Sequence, residues 1–437
     1  MLVEFSVENF RSIKTKATLS LVASPNKEIQ NNVSKIQIPK NKNSQKEINL
    51  LKSIAIFGAN ASGKSNVLMA LNQSIYSILF SQSFQPNQEF PIEQFKVDER
   101  YTSKPSCFEF KFIKNGVLFV YSYKVLKNEV FEENLDYCPQ GRTVKIFSRN
   151  HNNIVFHTFK NANNEDKIRL KIYEEEISSN ILILSLANKI KIPAIMEAYN
   201  WFQKNTCCLL NVVDTGWMTA ELLASKTIDY DIFNQLLKCA DPFINKFQLE
   251  QKIVPYEQLP QHIQLDIRRQ MERNKEKVLL GAAKIEGYTY SNGIDINGNP
   301  KEIKFLLEAN SAGTLKYFGI IGQIIRVLSE GGVLIVDELE LRLHPNLSRM
   351  IVELFSSEYN KKNAQLVFTT HNTNLLDTKN ILRRDQIYFV QKNNVGESEL
   401  YSLLDFNVRN DKVIQKAYLD GIFGAIPNIC FEDLICQ

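Results

Sequence analysis

The stretch SIAIFGANASGKSNVLMALNQSIYSIL, residues 53–79, passes from a short apolar run through a glycine-bearing turn into a run with helical spacing. Inside it, Gly58-Ala59-Asn60-Ala61-Ser62-Gly63-Lys64-Ser65 matches GxxxxGK[ST]. Strand, loop and helix in that order are what phosphate binding requires. The glycines let the backbone curl so that successive N–H groups face inward, and the helix N-terminus adds its positive end. Lys64 is placed to bridge the β- and γ-phosphates of a nucleotide, and Ser65 to ligate Mg²⁺. Gly58, Asn60, Ser62, Gly63 and Asn66 complete the expected cradle. The fold class that follows is α/β, with a nucleotide at the end of the sheet.

Three more stretches belong with it. VLIVDE, Val333–Glu338, is an apolar strand ending in two carboxylates, at the strand end where open α/β sheets bind ligands. Asp337 is expected in the Mg²⁺ shell, and Glu338, one step beyond, is expected to polarise the attacking water as a general base. AQLVFTTHNTNLLD, 364–377, is another buried strand, whose end sets His371 beside the carboxylates to hydrogen-bond a γ-phosphate. Ser311-Ala312-Gly313-Thr314 opens a helix with a small turn of the anion-binding kind, a composition that ordinary helix caps share. His344, before Pro345, reads equally as a helix-start residue and as part of an interface near the nucleotide.

Elsewhere, LVEFSVENF alternates, with Val3, Phe5 and Val7 on one face, so residues 1–25 read as strand, turn, strand. Residues 26–48 are rich in Asn, Lys and Ser and read as an irregular exposed stretch. Residues 92–158 carry β-rich runs such as FEFKFI and VLFVYSYKV, with turn signals such as Asn115-Gly116 between them. From about 160 to 280 the apolar spacing is helical, and the region ends in a hairpin signal, YTYSNGIDINGNPKEIKFLLE. One helix there bears Arg268, Arg269, Arg273, Lys275 and Lys277, but Asp266, Glu272 and Glu276 interleave, which favours a solvated face over a nucleic-acid surface. Trp201 reads as core rather than as a base-stacking platform.

The chain has 437 residues, 44% hydrophobic and 23% charged, close to globular averages, which excludes a largely disordered or fibrous chain. Its 52 basic and 48 acidic residues leave a net charge of +4, too mild either to demand or to exclude nucleic acid. Seven cysteines are scattered without a CxxC pair or zinc-ligand spacing, as in a reducing compartment. No apolar run approaches the ~20 residues of a membrane span, and the N-terminus lacks the apolar core of a signal peptide. A cytoplasmic protein without a membrane partner is expected.

The order of phosphate loop, small-residue helix start, strand with Asp-Glu and strand with Thr-Thr-His resembles the ABC-type ATPase heads. The nearest branch is that of RecF, SMC and overcoming-lysogenization-defect (OLD) proteins, and the AAA15 family of bacterial ATP-binding proteins is more similar still. VENFRSIK, FGANASGKSN, LEANSAGT, VLIVDELELRLHP, VFTTHN and YLDGIFGAIP carry the resemblance, while 150–290 adds little to it. It implies a P-loop NTPase of ABC-ATPase-head type with an N-terminal β-rich lobe or arm and a mainly helical insertion. The implied division is 1–90 as the N-terminal lobe with the P-loop, 91–158 as the β-rich arm and 159–285 as the helical insertion. Residues 286–437 then form the C-terminal lobe with signature, Walker B carboxylates and histidine switch.

The resemblance also implies an ATPase that uses ATP and Mg²⁺, with two subunits of a homodimer, or a higher homo-oligomer, sandwiching two ATPs. Ser311 and Gly313 would then contact the γ-phosphate of the ATP held by the partner subunit. The chain departs from the pattern in reading SAGT for LSGGQ and in following its carboxylates with LELRLHP. Gln94 is a candidate Q-loop glutamine, but PIEQF reads equally as a strand entry. Asn9-Phe10-Arg11-Ser12 sits where related heads shape the base side of the nucleotide and reads equally as a plain hairpin turn. No NKxD motif occurs, which favours ATP over GTP.

The function implied is a switch that dimerises around ATP and controls a separate effector protein, commonly a nuclease in such families, in anti-phage defence by abortive infection. The stretch after His371 is too short for the Toprim nuclease of OLD proteins, so nuclease chemistry is expected on another polypeptide. The alternative is a RecF/SMC-like DNA-repair ATPase that clamps DNA. A transporter subunit ranks third, because compact transporter heads lack so long a stretch as that between Lys64 and Ser311.

Overall fold

The computed structural model describes residues 1–25, 28–157, 164–210, 215–255, 264, 281–408 and 413–427. The chain forms two compact units, Met1–Asn211 with Val327–Gln437, and Val212–Arg326.

The core sheet of the first unit has six strands in the order β11-β15-β16-β5-β17-β18. They are β11 (Thr206–Leu209), β15 (Val333–Val336), β16 (Gln365–Thr369), β5 (Ser53–Phe57), β17 (Ile387–Lys392) and β18 (Ser398–Ser402). All but β18 run parallel. β5, β15 and β16 are buried at every residue, as strands covered on both faces must be, which is why they read as unbroken apolar runs. β16 lies between the strand that leads into the phosphate loop and the strand that ends in carboxylates. The ends of all three therefore open on one edge. This is the α/β fold expected, with the phosphate loop at the end of a parallel sheet.

A second, antiparallel sheet has seven strands in the order β10-β9-β8-β7-β6-β1-β2. Its members are β1 (Leu2–Glu8), β2 (Ala17–Ser20), β6 (Ser106–Lys114), β7 (Val117–Leu126), β8 (Glu129–Cys138), β9 (Val144–Asn150) and β10 (Asn153–Phe156). Alternation places Phe108, Phe110 and Phe112 of β6 inside. There they meet α1 (Lys64–Phe80) and, beyond α2 (Asn164–Glu176), α3 (Pro193–Asn205) in one apolar cluster. Trp201 of α3 stacks on Phe112 at 4.3 Å between ring centroids and is 1% exposed, so it is core.

Three expectations are corrected. Most of the stretch 26–48 is not irregular: within it β3 (Val33–Asn41) and β4 (Ser44–Leu51) form a hairpin. Its period-two signal is carried by few residues, Ile36 opposite Ile48, with Ile38 and Leu50 buried against Val3 and Ile113, among outward Asn, Lys and Ser. Val3 does not share a face with Phe5 and Val7, because a register shift between Leu2 and Glu4 puts Leu2 with them instead. The segment read as mainly helical contains β11, which follows α3 without a turn signal and pairs with β15, and also the long strand β12 (Ile244–Pro255).

In the second unit β12, β13 (Gly281–Ile294) and β14 (Pro300–Leu306) form a three-stranded antiparallel sheet. Helices α4 (Gly216–Ala224), α5 (Tyr230–Ala240) and the start of α6 (Ala312–Glu330) accompany it. Phe247 and Phe233 pack on Phe318 with ring centroids 4.7 and 5.1 Å apart. The β13–β14 turn is the Asn/Gly-rich one expected, with Asp295 Oδ1 accepting the N–H groups of Asn297 and Asn299 at 2.8 Å. The helix with Arg268, Arg269, Arg273, Lys275 and Lys277 lies outside the described residues. Helices α7 (Pro345–Ser356) and α8 (Ile414–Leu419) belong to the first unit. Among the described residues no helix is long and apolar enough to cross a membrane.

Candidate nucleotide-binding site

β5 ends at Phe57, the loop Gly58–Gly63 turns, and α1 begins at Lys64. The loop contains two left-handed residues, Ala61 (φ +60°) and Gly63 (φ +107°). A Cβ on Gly58 would run into the Val390 carbonyl and sit 2.7 Å from Ser62 Oγ. A Cβ on Gly63 would run into Ser398 Oγ and sit 2.8 Å from Ser12 Oγ. Those serines form a polar brace behind the loop. Ser398 Oγ donates to the Ser62 carbonyl at 2.6 Å and accepts the Ser12 hydroxyl at 2.7 Å, and Asn66 Nδ2 donates to Ser12 Oγ at 2.6 Å. The Ser398 end of the brace escaped the sequence reading, because nothing in Glu397-Ser398 signals contact with residues 12 and 62.

Gly63→Ala is therefore expected to weaken nucleotide binding at least about tenfold, the left-handed strain alone costing about 1–3 kcal/mol. Titration of a fluorescent ATP analogue into the variant checks this, and unchanged affinity would show that the brace yields.

Lys64 is buried, and its Nζ donates to the Gly58 and Ala59 carbonyls at 2.9 Å each. Burial pulls its pKa below the ordinary lysine value, against the charges of Glu338, Asp337 and Glu340. Thr369, the last residue of β16, ties the acidic end of β15 together. Its Oγ1 donates to Asp337 Oδ1 at 2.5 Å and accepts the Glu338 N–H at 2.8 Å. Glu338 is held in the left-handed region at φ +48°, a costly conformation for a glutamate that persists only where its surroundings fix it. The neighbouring Thr370 Oγ1 donates to Glu340 Oε2 at 2.6 Å, and the His371 N–H donates to Glu340 Oε1. Desolvation and the Lys64 charge hold the His371 pKa below the ordinary histidine value, opposed by Glu340, Glu338 and Asp337. The shift favours the neutral imidazole.

Lys64, Asp337, Glu338 and His371 accordingly meet at the edge where β5, β15 and β16 end. Glu340, Thr369 and Thr370 belong with them, and the only trace of Glu340 in the sequence is a third acid in the run 337–340. Ser311 and Gly313 lie in the second unit, where Ser311 Oγ accepts the Thr314 N–H at 3.1 Å at the start of α6. His344 caps α7, with Nδ1 accepting the Asn346 N–H at 3.2 Å, so of its two readings the helix-start one holds here. Asn9 serves structure, its side chain taking the Phe95 N–H and donating to the Lys104 carbonyl, while Arg11 pairs with Glu93 at 3.1 Å. Gln94 Nε2 is buried without a partner among the described residues.

The residues present suit a magnesium nucleotide. Ser62 Oγ is buried inside the loop with no partner among the described residues, an orphan hydroxyl for a phosphate oxygen to satisfy. Ser65 and Asp337 are the residues that would hold Mg²⁺, an ion that takes one or two protein oxygens together with phosphate oxygens and water.

The family model described as "AAA domain, putative AbiEii toxin, Type IV TA system" matches residues 53–377. Among solved structures, the chain is similar to an SMC head bound to the C-winged helix domain of ScpA, with 12% identity and a TM-score of 0.41 over 92% of this chain and 97% of that one. It is similar to the SMC head domain from Thermotoga maritima, with 11% identity and a TM-score of 0.37 over 92% and 98%. RecF-ATPrS of the RecFOR pathway gives 12% identity and a TM-score of 0.37 over 92% and 98%. No curated protein matches. The family match opens on β5 and closes just past His371, taking in the phosphate loop, both carboxylates and the strand-end histidine, so this chain belongs to that AAA-domain family.

Proposed function

We propose that this chain binds ATP with Mg²⁺ at the edge of its core sheet and hydrolyses it as a switch. The observation that carries the reading is the convergence of Lys64, Asp337, Glu338 and His371 at the ends of three adjacent strands. Loop N–H groups and Lys64 hold the phosphates, Glu338 takes the proton of the attacking water, and neutral His371 orients on the γ-phosphate. Ser65 and Asp337 would hold Mg²⁺, which would neutralise phosphate charge when bound.

The same reading has two copies closing on two ATPs, with Ser311 and Gly313 reaching the partner copy's γ-phosphate. The matching family's description, which names a toxin and a TA system, supports a chain that works beside a second protein. A cytoplasmic, AAA15-like ATPase governing a separate effector, a nuclease in the simplest case, in abortive infection fits that description. Light scattering of the wild type is expected to show the mass doubling with MgATP and not with Mg²⁺ alone. An unchanged mass beside intact hydrolysis would remove the in-trans role of Ser311 and Gly313. Duplex DNA in the same experiment separates the clamp from the effector switch, since a clamp binds it with steep salt dependence.

A further inference from the structure

We propose that Glu340 is a positioning residue of this site, its carboxylate gripping the Thr370 hydroxyl and the His371 amide so that the histidine and Glu338 keep one geometry. The proposal rests on the ATP-hydrolysis reading of the same edge. Thr369 is the last residue of β16 and Thr370 follows it. Thr369 takes Asp337, and Thr370 takes Glu340. Between these grips lie Glu338, with its N–H on Thr369 Oγ1, and Leu339, fully buried with its N–H on the Thr369 carbonyl at 3.1 Å. The short loop is thus fixed at each of four consecutive residues. That is the over-determination that a left-handed glutamate needs in order to persist.

Glu340 supplies the downstream grip, and it also joins the loop to the backbone of the histidine. Both of its oxygens accept hydrogen bonds from the two residues that follow β16, which suits holding rather than proton transfer. β16 is in turn anchored on the phosphate-loop strand, since the Thr370 N–H donates to the Ile56 carbonyl at 3.0 Å. Loop, histidine and phosphate strand therefore share one chain of hydrogen bonds, with Glu340 in it.

The experiment compares wild type, Glu340→Ala and Glu340→Gln in ATP hydrolysis, affinity for a fluorescent non-hydrolysable ATP analogue, and melting temperature. Glu340→Ala is expected to lose about 10- to 100-fold in kcat, the usual effect of removing a residue that orients a catalytic group, with KM and analogue affinity within about threefold of wild type. Glu340→Gln should recover part of kcat, because a carboxamide oxygen still accepts one of the two bonds. If Glu340→Ala does not fold, Thr370→Val, which removes one donor alone, should give the same kcat-specific loss.

Turnover of Glu340→Ala like wild type overturns the proposal. So does a parallel loss of analogue affinity, kcat and melting temperature, or a Glu340→Gln no better than Ala. A wild type that binds no analogue removes the ATP reading and this proposal together, whereas normal wild-type turnover with an indifferent Glu340→Ala removes the proposal alone.

Discussion

Glu338→Gln is expected to keep ATP and to lose about 10²- to 10⁴-fold in hydrolysis, the range that a positioned general base contributes. The carboxamide has the same shape, so the left-handed backbone and the Glu338 N–H bond to Thr369 Oγ1 are unaffected. What disappears is the proton acceptor. One opposing charge near Lys64 also goes, which lets burial act more freely on that ammonium, but two carboxylates remain beside it. Because the nucleotide is held and not consumed, the variant should accumulate in its ATP-bound form, and a doubled solution mass should persist after wild type has returned to its resting mass. Single-turnover hydrolysis beside light scattering reads both effects. Undiminished hydrolysis would move the base to another residue, with Asp337 and Glu340 the carboxylates at hand.

The largest loss of stability is expected at a residue that does not face the site. Glu133 on β8 is fully buried. Its oxygens accept the Tyr121 hydroxyl and the Ile183 N–H at 2.8 Å and the Leu184 N–H at 3.0 Å. Its cross-strand partner Arg149, 2% exposed, gives its guanidinium to the carbonyls of Ser178, Ser179, Ile181 and His151. Burial raises the Glu133 pKa, against the Arg149 charge and those three hydrogen bonds.

Together the two side chains bind residues 178–184 to the sheet, and Ile183 and Leu184 share the apolar cluster of Val67, Leu68 and Leu71 on α1. Glu133→Ala strands three donors and leaves a buried cation uncompensated, so about 3–5 kcal/mol should be lost. Glu133→Gln, which keeps an acceptor, should lose less. Urea unfolding with an unchanged m-value is the measurement, and a shift under about 1 kcal/mol would show that the network repacks.

Much of the fold was legible because its central strands are buried on both faces. SIAIF and VLIV can be little else, and the glycines and carboxylates at their ends mark the ligand edge. Legibility stops where the cause lies far along the chain. β11 is four residues, Thr206–Leu209, at the end of a helical run, and only its pairing with residues 333–336 makes it a strand. The β3–β4 hairpin has its apolar side chains thinly spread among Asn and Lys, so composition hid the period. Glu340 sits 30 residues from Thr370, and Ser398 sits 336 from Ser62, so neither contact leaves a local pattern. The role proposed for Ser311 and Gly313 would need a second copy of the chain, which no pattern within one copy reports.

The place of β5 in the sheet has a consequence for synthesis. This strand emerges before both of its neighbours, β16 and β17, which come from residues 365–369 and 387–392, and the brace behind its loop waits for Ser398. A nascent chain that stops short of residue 365 already holds the whole phosphate-loop sequence, with neither neighbour of β5 yet made. Translation must pass Ser398 before the loop acquires its brace, so the finished loop is a late product on the ribosome, and the unpaired edges of an apolar strand are what must be shielded until then.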